Sequence, residues 1–213
     1  MSESNLFLQQ FEVGLMDNFV YFIGDKNTRE VLVVDPAWEV DTILTKAKES
    51  DVKITGALIT HHHYDHTNGV EELLKTHDIP VYINQADIPY LEFKNNNLKP
   101  VESAHKVQCG AIEIELIHTP GHTPGSQCFH VQDSLVSGDT LFINACGRCD
   151  FEGGSPEEMY LSLNKRLGRL SDNTILYPGH NYAATPTDTM GAQRQTNPYL
   201  LVDSLQNFLN MRG

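Results

Sequence analysis

Short apolar runs separated by polar turns fill the first third of the chain, and their period of two predicts strands at Leu6–Val13, Phe19–Gly24 and Val31–Asp35. Asp17-Asn18 and Gly24-Asp25-Lys26-Asn27 supply turn chemistry between them. After Asp35-Pro36 the period lengthens: Val40, Ile43, Leu44 and Ala47 recur at helical spacing, and the apolar run Ile54–Thr60 then reads as a strand. A second helix is predicted over Gly69–His77, followed by a strand at Val81–Ile83, a short helical piece over Ala86–Phe93 and a loop at Lys94–Pro100.

The second half repeats the scheme. Strands are predicted at Ala111–Ile117, Gln127–Val131, Ser134–Ser137 and Thr174–Tyr177. Ser155-Pro156-Glu157-Glu158 combines a capping Ser, Pro at the first helical position and Glu three residues after the cap, so a helix is predicted from there to about Leu170. Two closing helices are predicted at Thr187–Gln195 and Pro198–Met211; Leu200, Leu201, Leu205, Phe208 and Leu209 are expected to cover the domain's own sheet. Strands followed by helices in two similar halves imply an α/β layer architecture with mostly antiparallel sheets, and 213 residues suit one domain, 1–213.

Charge narrows the partners. With 15 Lys+Arg against 28 Asp+Glu the formal charge is −13, which disfavours nucleic acid. No run approaches the roughly 20 apolar residues of a membrane span, and Met1–Gln10 lacks the pattern of a secretory signal, so a cytoplasmic location away from membranes is expected. The cysteines at 109, 128, 146 and 149 are too few and too uneven for a disulfide framework and read mainly as small packing groups.

The candidate chemistry begins at Thr60-His61-His62-His63-Tyr64-Asp65-His66, directly after an apolar strand. Alternate residues of an extended segment face one way, so His61 and His63 can share a cation while Asp65 and His66 turn toward a neighbouring position. Three later groups occupy strand-end turns built from Gly and Pro: His122 in Thr-Pro-Gly-His-Thr-Pro-Gly, Asp139 in Ser-Gly-Asp-Thr, and His180 in Tyr-Pro-Gly-His. Five histidines and two aspartates suit zinc, iron or manganese, and a pair of such ions supports hydrolysis without a Ser or Cys nucleophile. Asp35-Pro36 and Thr60 are placed to orient ligands, His118 to hydrogen-bond near His122, and His77, His105 and His130 read as surface or packing residues.

In order, H-x-H-x-D-H, Gly-His, Gly-Asp and Gly-His resemble the metallo-β-lactamase superfamily. The resemblance implies a four-layer αββα sandwich in the α/β class, with two divalent metal ions, zinc first and iron or manganese next. His61, His63 and His122 would hold one ion and Asp65, His66 and His180 the other. Asp139 would bridge the two, and Asp65 and Asp139 are the candidate catalytic carboxylates.

Within the superfamily the histidine run, Thr-Pro-Gly-His-Thr and Ser-Gly-Asp-Thr-Leu-Phe followed by Cys-Gly-Arg are similar to glyoxalase II. This implies cleavage of a glutathione thioester by a metal-bound hydroxide, with a thiol ester or glutathione conjugate as the small-molecule partner. Arg148, where that group has Lys, is a candidate for a substrate carboxylate or for a surface cation paired with Asp150, and Tyr182 is a candidate to line the cleft or to pack. The Cys146–Phe151 loop also resembles the persulfide dioxygenases, which use a single iron. That activity is the alternative, and a metal-stabilised interaction module without activity is the second.

Overall fold

The computed structural model describes residues 4–212. The first half comprises β1 (Leu6–Val13), β2 (Asn18–Asp25), β3 (Glu30–Val34), α1 (Val40–Glu49), β4 (Lys53–Leu58), α2 (Tyr64–Thr67), α3 (Val70–Leu74), β5 (Val81–Asn84) and β6 (Leu98–Val101). The second half comprises β7 (His105–Cys109), β8 (Ile112–His118), β9 (Gln127–Val131), β10 (Ser134–Gly138), a hairpin of β11 (Leu141–Phe142) and β12 (Ala145–Cys146), α4 (Pro156–Leu161), β13 (Ile175–Pro178), β14 (Asp188–Thr189), α5 (Met190–Thr196), α6 (Pro198–Leu201) and α7 (Leu205–Arg212).

One sheet runs β1 to β6 in chain order and the other runs β14-β13-β10-β9-β8-β7. Strand β2 is buried along its whole length because it has a core on each face. Phe19, Tyr21 and Ile23 point to the second sheet and meet Ile114, Leu116 and Phe129, whereas Val20 and Phe22 point outward to Ile43, Val70 and Leu73. A third cluster joins the outer face of the second sheet, through Cys128, Leu135 and Leu176, to Met159, Met190 and Phe208 of α4, α5 and α7. Three cores between four layers give the αββα sandwich implied by the sequence motifs.

Several elements depart from expectation. The first sheet is mixed: β1-β2 and β2-β3 are antiparallel, while β3-β4, β4-β5 and β5-β6 are parallel. Helices cover its outer face, as parallel pairing requires. Part of the segment read as a loop at Lys94–Pro100 is β6, an edge strand that tolerates Pro100, and β7 was not anticipated at all. The helical piece over Ala86–Phe93 is only a 3₁₀ turn at Ile88–Tyr90, and the helix expected over Gly69–His77 is limited to α3. Asn18 opens β2 rather than lying in the turn.

The single helix expected over Pro198–Met211 is broken into α6 and α7. Phe208 is fully buried and Leu200 packs against the same cluster, while Leu201 is exposed. Phe208→Ala should therefore destabilise the protein by about 3–5 kcal/mol, the usual loss for an aromatic core truncation, as measured by urea denaturation. Leu201→Ala should change stability by no more than about 0.5 kcal/mol.

Candidate metal centre

The strand ends at one edge of the two sheets deliver the polar groups. β4 leads into His61 and His63, α2 carries Asp65 and His66, the loop between β8 and β9 carries His122, β10 leads into Asp139 and β13 into His180. Their donor atoms converge in three overlapping groups, His61/His63/His122, His61/His66/Asp139 and Asp65/His66/His180, with the atoms of each group within 4.8 Å of one another. Asp139 lies between the clusters: Oδ1 is 3.4 Å from His66 Nε2, and Oδ2 is 3.6 Å from His122 Nε2 and 3.4 Å from His180 Nε2. Asp65 Oδ2 lies 3.4 Å from both His66 Nε2 and His180 Nε2.

The opposite ring nitrogens are occupied. His122 Nδ1 donates to the Arg148 carbonyl at 2.7 Å, and His180 Nδ1 to the Met16 carbonyl at 2.8 Å. Thr60 Oγ1 donates to Asp35 Oδ2 at 2.6 Å and so accepts from His61 Nδ1 at 2.9 Å; the same carboxylate oxygen accepts from His66 Nδ1 at 2.9 Å. One buried carboxylate thus fixes two imidazoles and leaves their Nε2 atoms facing the centre. The expected orienting role of Asp35 and Thr60 holds, whereas His118 reaches the Pro124 carbonyl at 2.8 Å and shapes the loop rather than touching His122.

His61 Nε2, His122 Nε2 and Asp139 Oδ1 are buried without a hydrogen-bond partner. Uncompensated buried polar atoms aimed at one point are costly unless a cation accepts their lone pairs, so the donor set fits divalent metal ions. Burial lowers His61 and His122 and brings His63 to about 4, which keeps those imidazoles neutral as ligands must be. For His180 the effect of burial is outweighed by the carboxylates of Asp139 and Asp65, which raise it to about 9. Burial opposes ionisation of Asp139, but the surrounding histidines, His66 foremost, hold it at about 2.

Close backbone packing keeps these ligands in place. A Cβ on Gly179 would sit 2.3 Å from Asp139 Oδ1, and one on Gly147 would sit 1.8 Å from the Asp139 carbonyl oxygen. Only glycine admits those approaches.

Two positioning residues escaped the sequence reading. Asp87, fully buried, accepts from the backbone N–H groups of His62 at 2.9 Å and Gly125 at 2.5 Å and from Thr123 Oγ1 at 2.8 Å, tying the His61–His63 segment to the His122 loop. Asp87 falls in the Ala86–Phe93 segment, whose local pattern carries no mark of partners across the sheet. Asn18 donates from Nδ2 to the backbone oxygen and Oδ2 of Asp65, both at 3.0 Å, and accepts from Trp38 Nε1 at 2.8 Å. Asp87→Ala strands three donors and should cost about 3 kcal/mol of stability, with metal retained about tenfold less tightly in a competition titration with a chelator.

The centre opens into a cavity of about 670 Å³. Arg148 and Tyr182 both line it. Arg148 forks onto Asp150, Nε to Oδ1 at 2.6 Å and an Nη to Oδ2 at 2.5 Å, and because both side chains are exposed this pair is weak enough for a substrate carboxylate to compete with it. Tyr182 is 59% exposed and stacks on His180 with centroids 4.6 Å apart, so it faces the cleft rather than filling a core. No Ser or Cys is among the described residues lining the cavity. Burial raises the Cys128 and Cys149 thiols to about 11 and Cys146 to about 12, so none is a ready nucleophile.

Residues 13–180 match the family model of the metallo-β-lactamase superfamily. The chain belongs to this superfamily of metal-dependent hydrolases. Similar proteins include the "probable polyketide biosynthesis zinc-dependent hydrolase" BaeB of Bacillus velezensis, 34% identical over 93% of this chain and 88% of the relative. A hydroxyacylglutathione hydrolase of Alkalilimnicola ehrlichii is 39% identical over 78% of this chain and 62% of its own length. Among solved structures, ETHE1 from Myxococcus xanthus superposes with a TM-score of 0.87 at 28% identity over 97% of this chain and 89% of that one. TTHA1623, solved in a di-iron-bound form, gives 0.79 at 28% identity over 90% and 100%. No helix among the described residues is long and apolar enough to cross a membrane.

Proposed function

We propose that the protein is a metal-dependent thioester hydrolase in which His61, His63 and His122 hold one ion, Asp65, His66 and His180 a second, and Asp139 both. The observation that carries this reading is the convergence of unpartnered His61 Nε2, His122 Nε2 and Asp139 Oδ1 on an open cavity with no Ser or Cys in its lining. Divalent ions held there lower the pKa of a coordinated water toward neutrality and polarise a carbonyl. Zinc and iron are the candidate ions, supported by the zinc-dependent name of one relative and the di-iron form of a solved neighbour.

The chain's own part is positioning. Asp35, acting directly on His66 and through Thr60 on His61, fixes the tautomers of both rings. Against the cost of burial, Asp65 and Asp139 stay ionised because the surrounding histidines favour the carboxylate form, which is the state in which they would hold the ions. Phe151 packs edge-on to His63 at 5.1 Å and Tyr182 covers His180, so aromatic rings flank the open side of the centre.

The thioester class is supported by the hydroxyacylglutathione hydrolase relatives and by the Thr-Pro-Gly-His-Thr and Ser-Gly-Asp-Thr-Leu-Phe motifs. The test is thiol release from lactoyl thioesters by protein loaded in turn with zinc, iron or manganese. Hydrolysis that disappears with a chelator and returns with metal is expected. The Cys-Gly-Arg-x-Asp-Phe loop favours a second reading, persulfide oxygenation at a single iron, which oxygen uptake on glutathione persulfide would reveal in place of hydrolysis.

A further inference from the structure

The charged residues lining the cavity outside the candidate ligand set are Glu92, Glu152 and Arg148. Arg148 is paired with the neighbouring Asp150 and lies 4.3 Å over the Phe151 ring. Glu92 and Glu152 have no cationic partner among the described residues. The cavity lining therefore carries two carboxylates without an ion-pair partner, and its one cationic side chain, Arg148, already shares its charge with Asp150. The same lining includes the exposed apolar or aromatic residues Met16, Tyr64, Phe151 and Tyr182, each 44–59% exposed.

Resting on the hydrolase reading, we infer that the site takes acyl thioesters whose thiol arm is neutral or cationic and largely apolar, with Glu92 and Glu152 selecting against thiols that bear carboxylates. The physical basis is like-charge exclusion at the entrance and a wall that rewards apolar contact. A glutathione arm brings two carboxylates and one ammonium to an entrance with no unpaired guanidinium or ammonium to receive them. An uncharged arm lies against Phe151 and Tyr182 without that repulsion.

The experiment compares kcat/KM for lactoyl thioesters of glutathione, N-acetylcysteamine and thiocholine, using the full chain loaded with metal. The neutral and cationic esters should be preferred over the glutathione ester by about tenfold at low salt, and the preference should shrink as ionic strength rises beyond the range where the Debye length spans the entrance. The double substitution Glu92→Gln/Glu152→Gln should reduce the preference about threefold to tenfold, the size expected for removing exposed charges near a charged ligand. Asp150→Asn, which frees Arg148, should move it the same way. Preference for lactoylglutathione, or a ratio that neither salt nor these substitutions move, would overturn the inference while leaving the hydrolase reading intact. No hydrolysis of any of the three would overturn both.

Discussion

Asp139→Ala should lower kcat/KM for thioester hydrolysis by about 10³-fold or more, the scale on which sites lose activity when a group stabilising the transition state is removed. The reason lies in its position. Its two oxygens face His66 on one side and His122 and His180 on the other, so one truncation opens both donor clusters. Elemental analysis of the variant should show less metal per chain than the parent, while far-UV circular dichroism stays unchanged because no backbone group depends on this carboxylate. A variant within about tenfold of the parent would remove Asp139 from the machinery.

Asp35→Ala should have the largest combined effect on stability and metal binding. This carboxylate is buried and accepts from Thr60 N at 2.7 Å, Thr60 Oγ1 at 2.6 Å and His66 Nδ1 at 2.9 Å. Its loss leaves buried donors without acceptors and should cost about 3–5 kcal/mol. Two imidazoles lose their orientation together, so metal affinity should fall about 10- to 100-fold, as for other partners that orient ligands. Thr60→Val, which breaks the relay to His61 but leaves the bond from His66, should fall between Asp35→Ala and the parent in both measurements. Equal effects from the two substitutions would mean that the shared carboxylate is not the organising element.

Much of this centre is legible in the chain because each donor follows a short apolar run and sits in a tight turn. His61, Asp139 and His180 are at strand ends for the same reason that Ile54–Thr60, Ser134–Ser137 and Thr174–Tyr177 read as strands. The pairing partners of those strands were not legible. Parallel pairing of β3, β4, β5 and β6 depends on where the intervening segments cross, which local periodicity does not encode. Strands β6 and β7 lie at sheet edges and are only four and five residues long; β6 contains Pro100, and the alternation of β7 rests on just two buried residues, Val107 and Cys109.

Asp87 and Asn18 were hidden for a different reason. Each acts on backbone or carboxylate groups distant in sequence, and a single polar residue beside a turn looks the same whether its partners are water or a loop across the sheet. For Arg148 the chain left two roles open, a substrate carboxylate or a pair with Asp150 two residues away, and the folded loop shows the fork onto Asp150.

The proposed activity is metal-dependent thioester hydrolysis at the strand-end histidines and aspartates. Its most direct test is metal content per chain, measured on the same sample as thiol release from lactoyl thioesters, before and after chelation. About two metal ions per chain with hydrolysis lost and regained alongside them is the expected result. Thioester hydrolysis that survives complete removal of metal, or a fully loaded protein that turns over none of the thioesters, would contradict it.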